Sequence, residues 1–194
     1  MRKVNFFIGA IILVIGSTMY ACSDAKSEKK DPLPTQAEMV KRGEYLVATS
    51  GCDDCHSPKR FGPNGPEVIP ETRLSGYPAD RPIQKSSPEA AKLGWMLFGG
   101  DLTTAVGPWG MSFAANITSD ETGIGNWTEQ NFMTALRKGK IKGLENGRSM
   151  LPPMPWFNFR NMTDEDLKSI FAYLKSTAPV HNIVPAPKSP VDVK

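Results

Sequence analysis

Cys52-Asp53-Asp54-Cys55-His56 is the stretch on which the reading of this chain turns. Two cysteines two residues apart, with a histidine directly after the second, fit one chemical task. Each thiol adds to one vinyl group of a haem, and the adjoining imidazole is directed at the iron from the same side. The spacing matters because the two vinyl positions are fixed on the ring, so one short loop must reach both while presenting His56. The pentapeptide is a signature of c-type haem attachment. Three other uses of these residues stand beside it. A zinc site needs about four ligands, and outside the motif the chain supplies only Cys22 and His181. A thioredoxin-like redox pair wants a βαβ context, which the sequence lacks. A Cys52–Cys55 disulfide suits an oxidising compartment but leaves His56 without a role.

Outward from the motif, helical signals alternate with turn-rich loops. The spacing predicts a helix over roughly 36–50, with Val40, Gly43 and Val47 on one side and Met39 and Leu46 beside them. A second starts at Ser87-Pro88-Glu89, a cap followed by proline at the first helical position, and ends before Gly99-Gly100. A third has Thr128 as its N-cap and stops at Gly139. The last is the clearest. Thr163-Asp164-Glu165-Asp166 places a cap and three carboxylates at the positive end of the dipole, and Leu167, Ile170, Phe171 and Leu174 follow at spacings of three and four.

Residues 57–86 and 99–127 hold many glycines and prolines and no strong strand alternation. Long loops of this kind count against a compact domain unless something other than secondary structure fills the core. A haem does that. The expected fold is all-α, with few helices and long loops wrapped around a covalently bound haem.

The N-terminus carries a second message. Arg2 and Lys3 precede an apolar run from Val4 to Gly16, a pattern that describes a secretory signal and is too short for an ordinary membrane span. Met19-Tyr20-Ala21-Cys22 then resembles a bacterial lipoprotein cleavage site, with Cys22 as the lipidated first residue. The expected organisation is a signal over 1–21, a lipid-anchored tether over 22–34, a haem domain over 35–178 and a proline-rich extended tail over 179–194. That places the protein outside the cytoplasm, in the periplasm or on its membranes. The 23 basic residues against 20 acidic ones include Arg2 and Lys3, so the mature domain is near neutral. This argues against nucleic acid as a partner, which needs a clustered basic face.

The second axial ligand is sought among the methionines. A thioether raises the iron's potential and suits electron transfer. Met96 and Met133 fall in or near predicted helices, where core packing is the default, and Met162 precedes a helix cap. Met154 lies in Leu151-Pro152-Pro153-Met154-Pro155-Trp156, where prolines on both sides lower the entropy cost of holding a sulfur over the iron. Met111, Met150 and, as a bis-histidine alternative, His181 remain open. The basic run Arg137 to Lys142 reads as a solvated helix end or as a dock for an acidic partner.

Several longer segments carry a resemblance: Arg42-Gly43-Glu44-Tyr45-Leu46, Gly107 to Thr118, Thr122 to Thr128, Leu151 to Trp156, and Met162 to Leu167. Over about residues 38–185 the chain resembles the class I c-type cytochromes. It is similar in particular to haem modules in the cytochrome subunits of bacterial alcohol and sugar dehydrogenases. The resemblance implies a cytochrome c fold, haem c at Cys52 and Cys55, and iron ligands His56 and Met154. It also implies terminal helices crossing at Gly43, which would face Ile170 and Tyr173, and a loop around Asn116 and Trp127 wrapping the propionate edge. Those subunits carry several haem motifs, whereas this sequence has one. The expected function is electron transfer rather than catalysis: one haem iron cycling between Fe(II) and Fe(III), with a dehydrogenase as donor and a terminal oxidase or reductase as acceptor. The alternatives are a peroxidase-like enzyme with a labile sixth ligand, or the cytochrome subunit of a membrane dehydrogenase complex.

Overall fold

Thr35 opens the first helix, α1 (Gln36–Thr49), through a reciprocal cap: Glu38 N donates to Thr35 Oγ1 and Thr35 N donates to the Glu38 carboxylate at 2.7 Å. The computed structural model describes residues 33–85 and 88–193. The expected signal, Cys22, most of the tether and the expected cap Ser87 lie outside the described residues. The chain then forms α2 (Cys52–His56), β1 (Lys59–Gly62), β2 (Gly65–Val68), α3 (Pro88–Lys92), β3 (Leu97–Phe98), β4 (Thr104–Gly107), β5 (Gly110–Phe113), α4 (Glu129–Lys138), α5 (Trp156–Phe159) and α6 (Asp164–Ser176).

Helix α6 is capped by Thr163, whose hydroxyl accepts from Asp166 N at 3.1 Å. It crosses α1 in the most extensive contact between any two elements. Gly43 makes the crossing possible, since a Cβ there would lie 1.9 Å from the Ser169 carbonyl oxygen and 2.7 Å from Tyr173 Cβ. Tyr173 is therefore the expected neighbour. Ser169 replaces Ile170 as the other, and Ile170 turns into the apolar core with Leu46, Val47 and Leu167. At the edge of the crossing Arg42 Nε donates to Asp166 Oδ1 at 2.9 Å. Helix α4 runs from its Thr128 cap to Gly139, which closes it at φ 63°, matching the sequence reading.

The all-α expectation requires correction. Strands β1 and β2 pair antiparallel with Gly62 opposite Gly65, and β3, β4 and β5 form a second antiparallel sheet with Gly107 opposite Gly110. Strand β4 is buried at all four positions and β5 at three of four, so neither shows the alternation that betrays a half-buried strand. Both hairpins turn on the same tetrapeptide pattern, Gly62-Pro63-Asn64-Gly65 and Gly107-Pro108-Trp109-Gly110. Proline presets the second turn position, and the closing glycines adopt φ 114° and 100°. Helix α3 is also shorter than the spacing predicts. Gly94 at φ 86° turns the chain, and Leu97 and Phe98 pair with Val106 and Ala105. Met96 is accordingly half-exposed rather than a core residue.

Beyond α6 the chain crosses the 74–79 segment and pairs with β5. Asn182 Nδ2 donates to the Ser75 and Tyr77 carbonyls at 2.7 and 2.9 Å, its Oδ1 accepts from Ala79 N, and Lys188 bridges Met111. Among the described residues, no helix is long and apolar enough to cross a membrane.

Candidate haem site

Helix α2 carries both motif cysteines and is fixed from three directions. Gly51, at φ 72°, lets the chain reverse out of α1. Asp53 is gripped in a bidentate ion pair, with Arg73 Nε on Oδ1 at 2.9 Å and Nη2 on Oδ2 at 2.7 Å, while Ser57 Oγ donates to Oδ1 at 2.7 Å. The third guanidinium nitrogen, Nη1, donates to Tyr173 Oη at 2.6 Å. Arg73 thus ties the haem-motif helix to α6. Desolvation raises the Asp53 pKa, but the Arg73 and Ser57 hydrogen bonds outweigh it and hold the carboxyl below its ordinary value. The motif alone gave no role to Asp53, and no spacing signal connects it to Arg73.

His56 Nδ1 lies 2.7 Å from the Ala115 carbonyl oxygen. A carbonyl only accepts, so Nδ1 carries the proton and Nε2 keeps its lone pair. Desolvation lowers the imidazole pKa and keeps the ring neutral, the form that ligates a metal. Both cysteines are free and partly buried. Burial, reinforced by Asp53, pushes the Cys52 thiol up to about 12, and burial also raises Cys55.

Met154 is partly buried and packs against the same apolar cluster as Cys52. Its loop hangs between two anchors. Ser112 Oγ in β5 donates to the Pro152 carbonyl at 2.6 Å, and Met150 N donates to the Gly139 carbonyl at 2.7 Å. Two of the rival ligands lie elsewhere. Met111 is buried in a separate cluster with Val106 and Val193, and His181 is exposed with Nδ1 3.5 Å from Asp120 Oδ1. Met133 and Met162 are partly buried against the main cluster, as Met154 is.

The residues present fit a haem. Cys52 and the proline-flanked Met154 pack against one apolar cluster, and Cys55 and a neutral His56 with one nitrogen fixed lie on the same short helix as Cys52. Among the described residues, no three His, Cys, Asp or Glu side chains gather as a metal site. The Asn116 side chain is hydrogen-bonded within the protein on both sides of its amide. Its amide nitrogen donates to Thr122 Oγ1 and the Val180 carbonyl, and its Oδ1 accepts from Thr118 N and Oγ1. The side chain is committed to stitching the 116–122 loop to the tail. Trp127 packs against the main cluster. In the basic run, Arg137 bonds the Arg160 carbonyl and Asp164, Lys138 pairs with Glu145 at 2.7 Å, and Lys140 Nζ donates to the Gly147 carbonyl at 3.0 Å.

Comparison with characterised proteins agrees with this chemistry. The chain is 41% identical to one subunit of the nicotinate dehydrogenase of Pseudomonas putida, an alignment covering 95% of this chain and 13% of that protein. It is 31% identical to the gluconate 2-dehydrogenase cytochrome c subunit of Pantoea cypripedii, over 88% of this chain and 29% of that protein. The chain is a relative of bacterial dehydrogenase cytochrome c subunits. The fructose dehydrogenase cytochrome subunit of Gluconobacter japonicus matches at 29% identity, over 88% of this chain and 28% of its own length. The chain therefore spans less than a third of the length of each of these relatives. No family model matches it.

Proposed function

We propose that this protein is an electron carrier built on one covalent haem c, attached at Cys52 and Cys55, with His56 and Met154 as the two axial ligands. When bound, such a haem supplies a one-electron couple, Fe(II)/Fe(III). The observation that carries the reading is the fixed His56: a neutral imidazole, its Nδ1 proton held by the Ala115 carbonyl, directly follows a free thiol pair. Ala115 sets the orientation of the ring, so Nε2 is the nitrogen left to ligate. The Ser112–Pro152 bond and the flanking prolines hold the Met154 thioether at the apolar cluster. Phe132, Leu136, Ile124 and Phe159 keep water from that cluster.

With both axial positions filled by protein, the site transfers electrons rather than turning over a substrate. The relatives' roles as dehydrogenase cytochrome subunits support a dehydrogenase as donor. A terminal oxidase or reductase is the acceptor, and contacts with either are brief and small, as electron-transfer encounters usually are. With a signal over 1–21 and a lipid on Cys22, the carrier is extracytoplasmic and anchored by lipid to a membrane of the bacterial envelope. The decisive experiment expresses the chain in a host with a haem-attachment system. Mass spectrometry is expected to show one porphyrin adduct, and the oxidised protein a sulfur-to-iron charge-transfer band that is lost in Met154→Ala. An adduct-free protein overturns the haem assignment. An unchanged band in Met154→Ala removes Met154 from the iron.

A further inference from the structure

Lys59 has a surrounding unlike that of any other cation near α2. Its ammonium donates to four main-chain carbonyls: Asp54 at 2.7 Å, Asp53 at 3.0 Å, Ser57 at 3.0 Å and Asp101 at 3.1 Å. Three of these belong to the haem-motif helix and its C-cap: the Asp53 carbonyl also accepts from Ser57 N, whereas Asp54 and Ser57 lie toward the end where carbonyls run out of helical donors. The fourth, Asp101, ties that end to the loop before β4. The neighbouring cations are neutralised by carboxylates: Arg73 by Asp53 and Arg81 by Asp101, each at 2.7 Å. Among the described residues, no carboxylate lies within ion-pair distance of Lys59 Nζ. Asp54, the remaining acid of the motif, is exposed. The result is a partly buried positive charge three residues after His56, held by main-chain oxygens, with Asp53 and Asp54 nearby but not paired with it.

The geometry points to Lys59 as a positioning residue of the redox site that also raises its potential: it caps the helix that carries the cysteines and adds a positive charge, with no paired carboxylate, at the site proposed for the haem. This inference rests on the haem reading above. Oxidation adds a positive charge to the iron, so a fixed cation nearby disfavours the ferric form and raises the reduction potential. The Lys59 charge reaches Cys55 and His56, where Asp54 and Asp53 respectively act against it, so its removal leaves the carboxylates unopposed. Arg73, paired with Asp53, contributes position without net charge. The two cations thus divide the work.

The test compares potentiometric titrations of the full-length haem protein with those of Lys59→Met and Lys59→Arg, followed in the visible spectrum. At the wild-type midpoint, Lys59→Met is expected to shift the ferric-to-ferrous ratio about fourfold to sixteenfold toward ferric, the effect of a unit charge acting over roughly 10 Å at an effective dielectric of 20 to 40. Lys59→Arg, which keeps the charge, is expected to remain within about twofold of wild type. Should Lys59→Met fold poorly, Lys59→Gln keeps donors for the carbonyls and removes the charge, and the same shift is expected. A charge-free variant with full haem content and an unchanged midpoint overturns the inference while leaving the haem reading intact. So does an Arg variant that shifts as far as the Met variant. A wild-type protein without haem instead fails the parent reading.

Discussion

Gly43→Ala tests whether the α1–α6 crossing holds the molecule together. The added methyl would sit 1.9 Å from the Ser169 carbonyl oxygen, a backbone atom that cannot rotate away, and 2.7 Å from Tyr173 Cβ. Restoring ordinary contact distances requires the helices to part by roughly 1.5 Å along their closest approach. Overpacking of this kind costs about 3 kcal/mol at the upper end of its usual range. Alanine returns about 1 kcal/mol through its better helix propensity, leaving a net loss of about 2 kcal/mol. For a domain of this size that lowers the melting temperature by about 4–8 °C. Urea unfolding followed by far-UV circular dichroism measures it directly, with a drop in the midpoint at an unchanged slope. Because Tyr173 also receives the Arg73 hydrogen bond, haem incorporation is expected to fall together with stability. A variant as stable as the wild type would refute the argument, since no close approach could then exist at residue 43.

Two further substitutions address other parts of the chain. Asp101 is almost fully buried; desolvation raises its pKa, but Arg81 and Thr103 outweigh that and hold it below the ordinary value. Its depressed pKa gives stability that is present above the unfolded value and lost as the pH falls through the folded one. Asp101→Asn is therefore expected to cost about 1.5–3 kcal/mol at pH 7 and to flatten the acid limb of stability below about pH 4; urea midpoints across pH 7 to 2.5 check both. Cys22→Ser is expected to release the protein from membranes into the soluble fraction, and persistence in the membrane fraction refutes the lipid anchor.

The helices were legible because their signals are local. Thr128 and Thr163 announce their own helices, Gly139 closes one, and Leu167, Ile170 and Leu174 repeat at the helical period. The Cys52–His56 peptide could be read as a candidate haem site because its five adjacent residues carry that chemistry. The sheets were not, because β4 is covered on both faces and β3 has two residues. Their signal lay in the paired Gly-Pro-x-Gly turns, a matter of turn chemistry rather than periodicity. The Asp53–Arg73–Tyr173 chain was hidden for a different reason: its members lie 20 and 100 residues apart, and only the folded backbone brings them together. Lys59 was hidden because its partners are main-chain oxygens, which every residue possesses.

The strand that the sequence concealed has a mechanical consequence for the site. Ser112 lies in β5 and grips the Met154 loop, and Ala115, three residues later, grips the His56 ring. One short extended segment is therefore in contact with both candidate ligand loops. An extended backbone is close to its length limit, at about 3.3 Å per residue, and resists stretching. In the proposed haem site it would work as a calliper, holding the His56 and Met154 loops at a common span instead of letting them relax independently. With an iron held there, a rigid span would keep the nuclear rearrangement on each change of charge small, which is what rapid exchange of single electrons demands.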